Sequence, residues 1–145
     1  MTSTPYSTTT GTRNWPAYAV GSSGVAVILS ALAFYTDVFG PTEEGPADPV
    51  WQWFIVIGVA VAIGVGVFAT VVRTATPSNA DRRGLVIALV SIPTVIAFWS
   101  GLPVILAGAA TACALATGRP SRLGMLTLVV AAAVFGFTVW GCLAG

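Results

Sequence analysis

The side chains that could do chemistry in this sequence are few, and they stand apart. There are two thiols, Cys113 and Cys142, and five carboxylates, four of which, Asp37, Glu43, Glu44 and Asp48, crowd into one Pro- and Gly-rich stretch. Histidine is absent and all six basic residues are arginine. Zinc and haem sites need imidazoles or several thiolates at fixed spacing, and acid–base catalysis needs a group that titrates near neutrality beside a partner. The sequence offers neither. Two cysteines make no metal-ligand pattern and no disulfide framework, and they read as small packing residues near opposite ends of two helices. The clustered acids have no regular ligand spacing, so they read as solvated loop charge rather than a cation site, and Asp37 as a helix-terminal residue at a membrane surface. No catalytic, cofactor-binding or metal-binding residue is assigned, no cofactor is expected, and the chain reads as something other than an enzyme.

The elements that carry these residues are set by composition. Of the 145 residues 56% are hydrophobic and only 8% charged, with a mean hydropathy of +0.89. Eleven charged side chains cannot supply the polar shell of a soluble domain this size. The expectation is an all-α integral membrane protein whose first partner is the lipid bilayer. A net charge of +1 gives no reason to expect nucleic acid.

Along the chain, residues 1–13 are Thr- and Ser-rich and read as a disordered polar cytoplasmic tail, ahead of a transmembrane domain at 14–145. Helices are expected at about 15–36, 50–72, 80–100, 103–117 and 121–143. Asn14 is a candidate N-cap with Pro16 in the first turn, and Asp48-Pro49 repeats that pattern before the second helix. Ser78 and Asp81 have capping-box spacing ahead of the third. Ala31-Leu32-Ala33 resembles a signal cleavage site, but the single basic residue before it and the apolar Tyr35 and Phe39 after it favour a retained helix.

The run from Gly84 to Gly118 decides the topology. As one helix it would be about 51 Å long, against about 30 Å of hydrocarbon. Within it, Gly101 can adopt the left-handed conformation that ends a helix, and Pro103 suits the first turn of a new one. The alternative is four helices, one of them long and kinked at Pro93. Charge favours the turn: with Phe98–Val104 as an outer apex, all six arginines fall on the cytoplasmic side and four of five acids outside, as membrane insertion prefers. Trp51, Trp53, Trp99 and Trp140 then lie near one interface and Trp15 near the other. This predicts five helices, with helices 3 and 4 as a short hairpin, the N-terminus inside and the C-terminus outside. Each hairpin arm is only about 22 Å long, so a re-entrant hairpin with the same sidedness stays open.

Small residues recur every four positions: Ser22, Ala26 and Ser30 on helix 1, Gly58, Ala62, Gly66 and Thr70 on helix 2, and Gly108, Ala112 and Ala116 on helix 4. Such stripes let helix backbones approach closely, and they are expected to pack inside the bundle, with a homo-oligomeric face as the alternative. On that reading Gly66→Leu lowers stability. Arg73, Arg82 and Arg83 can meet anionic headgroups but are too few for a lipid-specific cluster.

Lys-free, Ala/Val/Gly-rich helices and the segment FWSGLPVILAGAA followed by GRPSR are similar to those of small multi-pass membrane proteins of high-GC actinobacteria. The resemblance covers about residues 84–143 and implies a plasma-membrane location. That family has no assigned activity, so no functional residue carries over. An accessory, assembly or membrane-organising protein that works through helix contacts, with itself or with another membrane protein, needs no site and is expected first. A small oligomeric channel or transporter is the alternative, with Ser91, Pro93 and Thr94 as a place where a helix could unwind and expose carbonyls.

Overall fold

The computed structural model of the chain describes residues 14–35, 50–116, 118 and 120–144. The expected tail at 1–13, the acids Asp37, Glu43, Glu44 and Asp48, the Asp48-Pro49 cap, Arg13 and Arg119 lie outside them. The described residues form five helices: α1 (Trp15–Tyr35), α2 (Val50–Val67), α3 (Ala80–Thr94), α4 (Leu102–Leu115) and α5 (Arg122–Ala144). α2 continues as a widened π turn over Phe68–Val72, and α3 as a tighter 3-10 helix over Val95–Ser100. Four of the helical runs are long and apolar enough to cross a membrane; α4 is the short one.

The turn forms where Gly and Pro place it. Gly101 is left-handed (φ 72°, ψ −8°), and Pro103 stands in the first turn of α4. Pro93 does not merely kink α3. It cannot donate to the carbonyl four residues back, and the chain beyond it tightens, with Val95 N–H shared between the carbonyls of Ile92 and Pro93 and a non-helical break at Ala97. Because 3-10 helix rises about 2 Å per residue rather than 1.5 Å, Ala80–Ser100 reaches about 34 Å, enough to cross. The reach beyond about 22 Å comes mainly from a start at Ala80 rather than Leu85, with about 3 Å added by the 3-10 stretch, and the left-handed turn at Gly101 excludes a single long kinked helix.

α4 is the centre of the bundle. Ten of its fourteen residues are buried, and it contacts α1, α2, α3 and α5. A helix with no polar face and many alanines is thin and apolar all round, so four neighbours can surround it. At about 21 Å it is too short to cross alone, but enclosed by protein it has no hydrocarbon edge to reach.

Two of the three small-residue stripes pack as expected. Ala26 and Ser30 are fully buried, and a Cβ on Gly108 would lie 2.5 Å from Ser22 Cβ. The α2 stripe is the correction: Gly58, Ala62, Gly66 and Thr70 are all exposed, and nothing lies within 4 Å of a Cβ placed on Gly58 or Gly66. The face that packs is offset from it, through Ile57, Ala60, Gly64 and Phe68, and a Cβ on Gly64 would stand 2.4 Å from Ile105 Cγ2. Gly64→Leu should therefore lower the stability of the detergent-solubilised monomer by about 1–3 kcal/mol through overpacking, while Gly66→Leu stays within about 0.5 kcal/mol of the parent. Thermal unfolding of the two variants side by side checks this; equal losses would place the α2 interface wrongly.

Candidate functional site

Three places among the described residues, each built by identifiable elements, come into question as a site. The first is the hairpin apex. The Ser30 hydroxyl, fully buried on α1, donates to the Trp99 carbonyl at 2.6 Å and accepts from Trp53 Nε1 at 3.1 Å. One hydroxyl so joins α1, α2 and the end of α3. The rest of the turn satisfies itself: Gly101 N–H donates to the Phe98 carbonyl, Leu102 N–H to Ser100 Oγ and Ile105 N–H to the Gly101 carbonyl. Gly101 also needs to be glycine for space, since a Cβ there would lie 2.9 Å from the Ala26 carbonyl oxygen.

The second place is the opposite end of the bundle, where α3 begins. Arg83 Nη1 donates to the Val71 carbonyl at 3.1 Å and to Thr74 Oγ1 at 2.7 Å, which puts a cation on a carbonyl in the last turn of the α2 run. Asp81 Oδ2 accepts from the Ser121 hydroxyl, and Ser121 Oγ in turn accepts from Gly124 N–H at 3.3 Å. Ser121 thus caps α5 and holds a carboxylate at its N-terminus, as the helix dipole favours. The expected capping box of Ser78 and Asp81 does not form. Asp81 turns to α5, Ser78 Oγ meets Thr76 Oγ1, and Asn79 at the N-cap of α3 makes no side-chain cap, its Oδ1 accepting from Thr76 N–H instead. Asp81 Oδ1 is buried without a hydrogen-bond partner.

The third is a lateral groove of about 680 Å³, floored by α4 and walled by α1 and α5. Ala17, Tyr18, Thr111 and Leu128 line its end nearer the arginines, and Val25, Val104 and Phe135 its other end. Its waist is made of small side chains, among them Gly21, Ser22, Gly108 and Ala132. Ser22 Oγ donates to the Ala19 carbonyl and Thr111 Oγ1 to the Ala107 carbonyl, so both hydroxyls are engaged by their own helices.

Cys113 and Cys142 are free and buried, and packing keeps them apart. Cys113 meets Gly84 near the start of α3, while Cys142 follows Gly141, which packs on Phe98 at the apex end. Ser91 and Thr94, the hydroxyls beside Pro93, donate to the carbonyls of Ala88 and Ser91, so the helix tightens there rather than unwinds. Among the described residues no three His, Cys, Asp or Glu side chains converge. Sequence reasoning placed Ser30 in a small-residue stripe and missed its bonding; the available signal was a serine on a helix expected to end level with Trp53 and Trp99. Comparison with protein families, with characterised proteins and with solved structures returns no match to this chain.

Ser30→Ala removes both bonds while leaving the backbone approach intact. It should cost about 1–2 kcal/mol, with Ser23→Ala on the same helix as the control. Unfolding in mixed micelles reads this directly, and equal stability of the two variants would show that the hydroxyl bridge contributes nothing.

Proposed function

We propose that the protein is a multi-pass protein of the cell membrane that works as an accessory or assembly factor, offering the outer face of α2 to another transmembrane helix. The observation that carries this reading is the Gly58, Ala62, Gly66 and Thr70 stripe, which is spaced for close helix approach yet has no partner inside the described bundle. In lipid, burial of apolar surface does not drive helices together, so small-residue faces that allow backbone contact are the surfaces on which association depends. The stripe runs about 18 Å along α2, the length of a typical helix crossing. We assign the chain no catalytic step. α4 fills the middle of the described bundle, so among the described residues a single copy encloses no path, and on this reading a channel would have to form between copies.

A diazirine amino acid at Ala62 tests the contact in native membranes. The reading expects a protein adduct that is lost in Gly66→Leu and absent when the probe stands at Val86, an exposed residue of α3. A dimer-sized adduct identifies a second copy and a different mass a heteromeric partner. Adducts with lipid alone would defeat the proposal.

The same reading places the N-terminus inside and the C-terminus outside. The described arginines, Arg73, Arg82, Arg83 and Arg122, all stand at the bundle end where α3 and α5 begin, which supports that end being cytoplasmic. In a background lacking Cys113 and Cys142, a cysteine replacing Leu143 should react with an impermeant thiol reagent added to intact cells, and one replacing Ser78 only after the membrane is opened. Labelling of Ser78→Cys in sealed cells would invert the topology.

A further inference from the structure

We propose that the outer face of α3 and α5, at the end where both helices begin, binds one anionic phospholipid, its phosphate on Arg82 and Arg122 and its hydrocarbon along the turns that follow. This contact is separate from the α2 face. The two helices carry the same pattern. Arg82, Val86 and Leu89 on α3, and Arg122, Leu126 and Val129 on α5, stand at i, i+4 and i+7, so each set lies on one helix face. All six are exposed. Both faces point away from the bundle, because Gly84 and Gly124, two residues beyond the arginines and so on the opposite side, pack inward. The helices also lie side by side. A Cβ on Gly84 would be 3.2 Å from Thr127 Cγ2, and one on Gly124 would be 2.9 Å from Asp81 Oδ1, so α3 and α5 run parallel in a fixed register. In that register Arg122 stands about 4.5 Å nearer the bundle end than Arg82, within one turn of the same depth.

The charges call for an anion. Among the described residues neither Arg82 nor Arg122 makes a hydrogen bond or an ion pair, whereas Arg83 is engaged by Val71 and Thr74. Asp81, the one acid among the described residues, does not neutralise them: its Oδ2 takes the Ser121 hydroxyl and its Oδ1 is buried against Gly124. A cation in the first turn of a helix is opposed by the helix dipole, and α3 and α5 each hold one there, so an anion from outside relieves both. A guanidinium is always charged and its fork takes two phosphate oxygens at once. The phosphate belongs to a lipid rather than to a free ion, because the exposed apolar strips directly below the two arginines offer surface to hydrocarbon and nothing to a soluble anion. Two cations over two strips match one anionic head with two acyl chains.

The full chain in a non-ionic detergent is mixed with equal amounts of phosphatidylglycerol and phosphatidylcholine, and the retained lipid is counted by native mass spectrometry. Phosphatidylglycerol is expected to be held about 25-fold over phosphatidylcholine, about fivefold for each arginine. Arg82→Gln and Arg122→Gln should each cut that ratio about fivefold, and the double variant should abolish it. Arg73→Gln removes the same charge from an exposed residue after the α2 run and should leave the ratio unchanged. Excess inorganic phosphate should not displace the lipid. Thermal unfolding establishes that each variant is folded, and if one single variant is not, the other decides. The proposal is overturned if the two lipids are held equally, if a folded Arg82 or Arg122 variant keeps the parent ratio, if Arg73→Gln lowers it as far as they do, or if inorganic phosphate displaces the lipid.

Discussion

The closeness of Gly101 to Ala26 is the constraint on which the rest of the bundle depends. A turn packed closely against a neighbouring helix is shut off from solvent on that side, so its polar backbone groups there must be satisfied within the protein. At this apex the local bonds of Gly101, Leu102 and Ile105 cover most of that requirement, and the remaining carbonyl, on Trp99, is met by Ser30 from α1. Ser30 can reach only because α1 lies almost on the turn, and α1 can lie there only because position 101 has no side chain. With α1 fixed at the apex, its next turns meet α4 at Gly108, and the same face runs from Ser22 to Ser30. A left-handed glycine, a buried serine and an alanine one turn below it are thus one arrangement.

The other end is organised by charge. The first turn of α3 sends its acid toward the N-terminus of α5 and its second arginine toward the C-terminal end of α2, each to the helix end whose dipole it complements. Arginines at a membrane boundary are ordinarily explained by insertion sidedness alone. Arg83 has a second use, since it donates to the Val71 carbonyl where the α2 run ends in a widened turn.

How much of this was legible depended on whether a feature has a local cause. Gly101 and Pro103 act through their own backbone chemistry, and the turn, the five helices and most of their bounds follow from such signals. The lengthening of α3 beyond Pro93 is also local in cause, but its size depends on how far the 3-10 geometry runs. The α2 error has a different origin. In a soluble helix polarity marks the outward face; here both faces of α2 are apolar and both carry small residues at helical spacing, Ala60 and Gly64 inside and Gly58, Ala62 and Gly66 outside. Only contact with Ile105 distinguishes Gly64, and that contact is tertiary. The Ser78 and Asp81 pair failed for a related reason: a capping box is a local option, and Ser121 offered Asp81 a better one forty residues away.

The enclosure of α4 separates the thickness of the membrane from the geometry of the core. A helix that faces lipid must match the hydrocarbon layer by tilting or bending, and the four long helices carry that obligation. α4 does not, because its surroundings are protein on nearly every side. A thicker or thinner bilayer therefore loads the outer ring first, and the ring can lean without altering the length or apolar lining of what it holds. The shortest helix is in this sense the part of the molecule least answerable to the membrane it sits in.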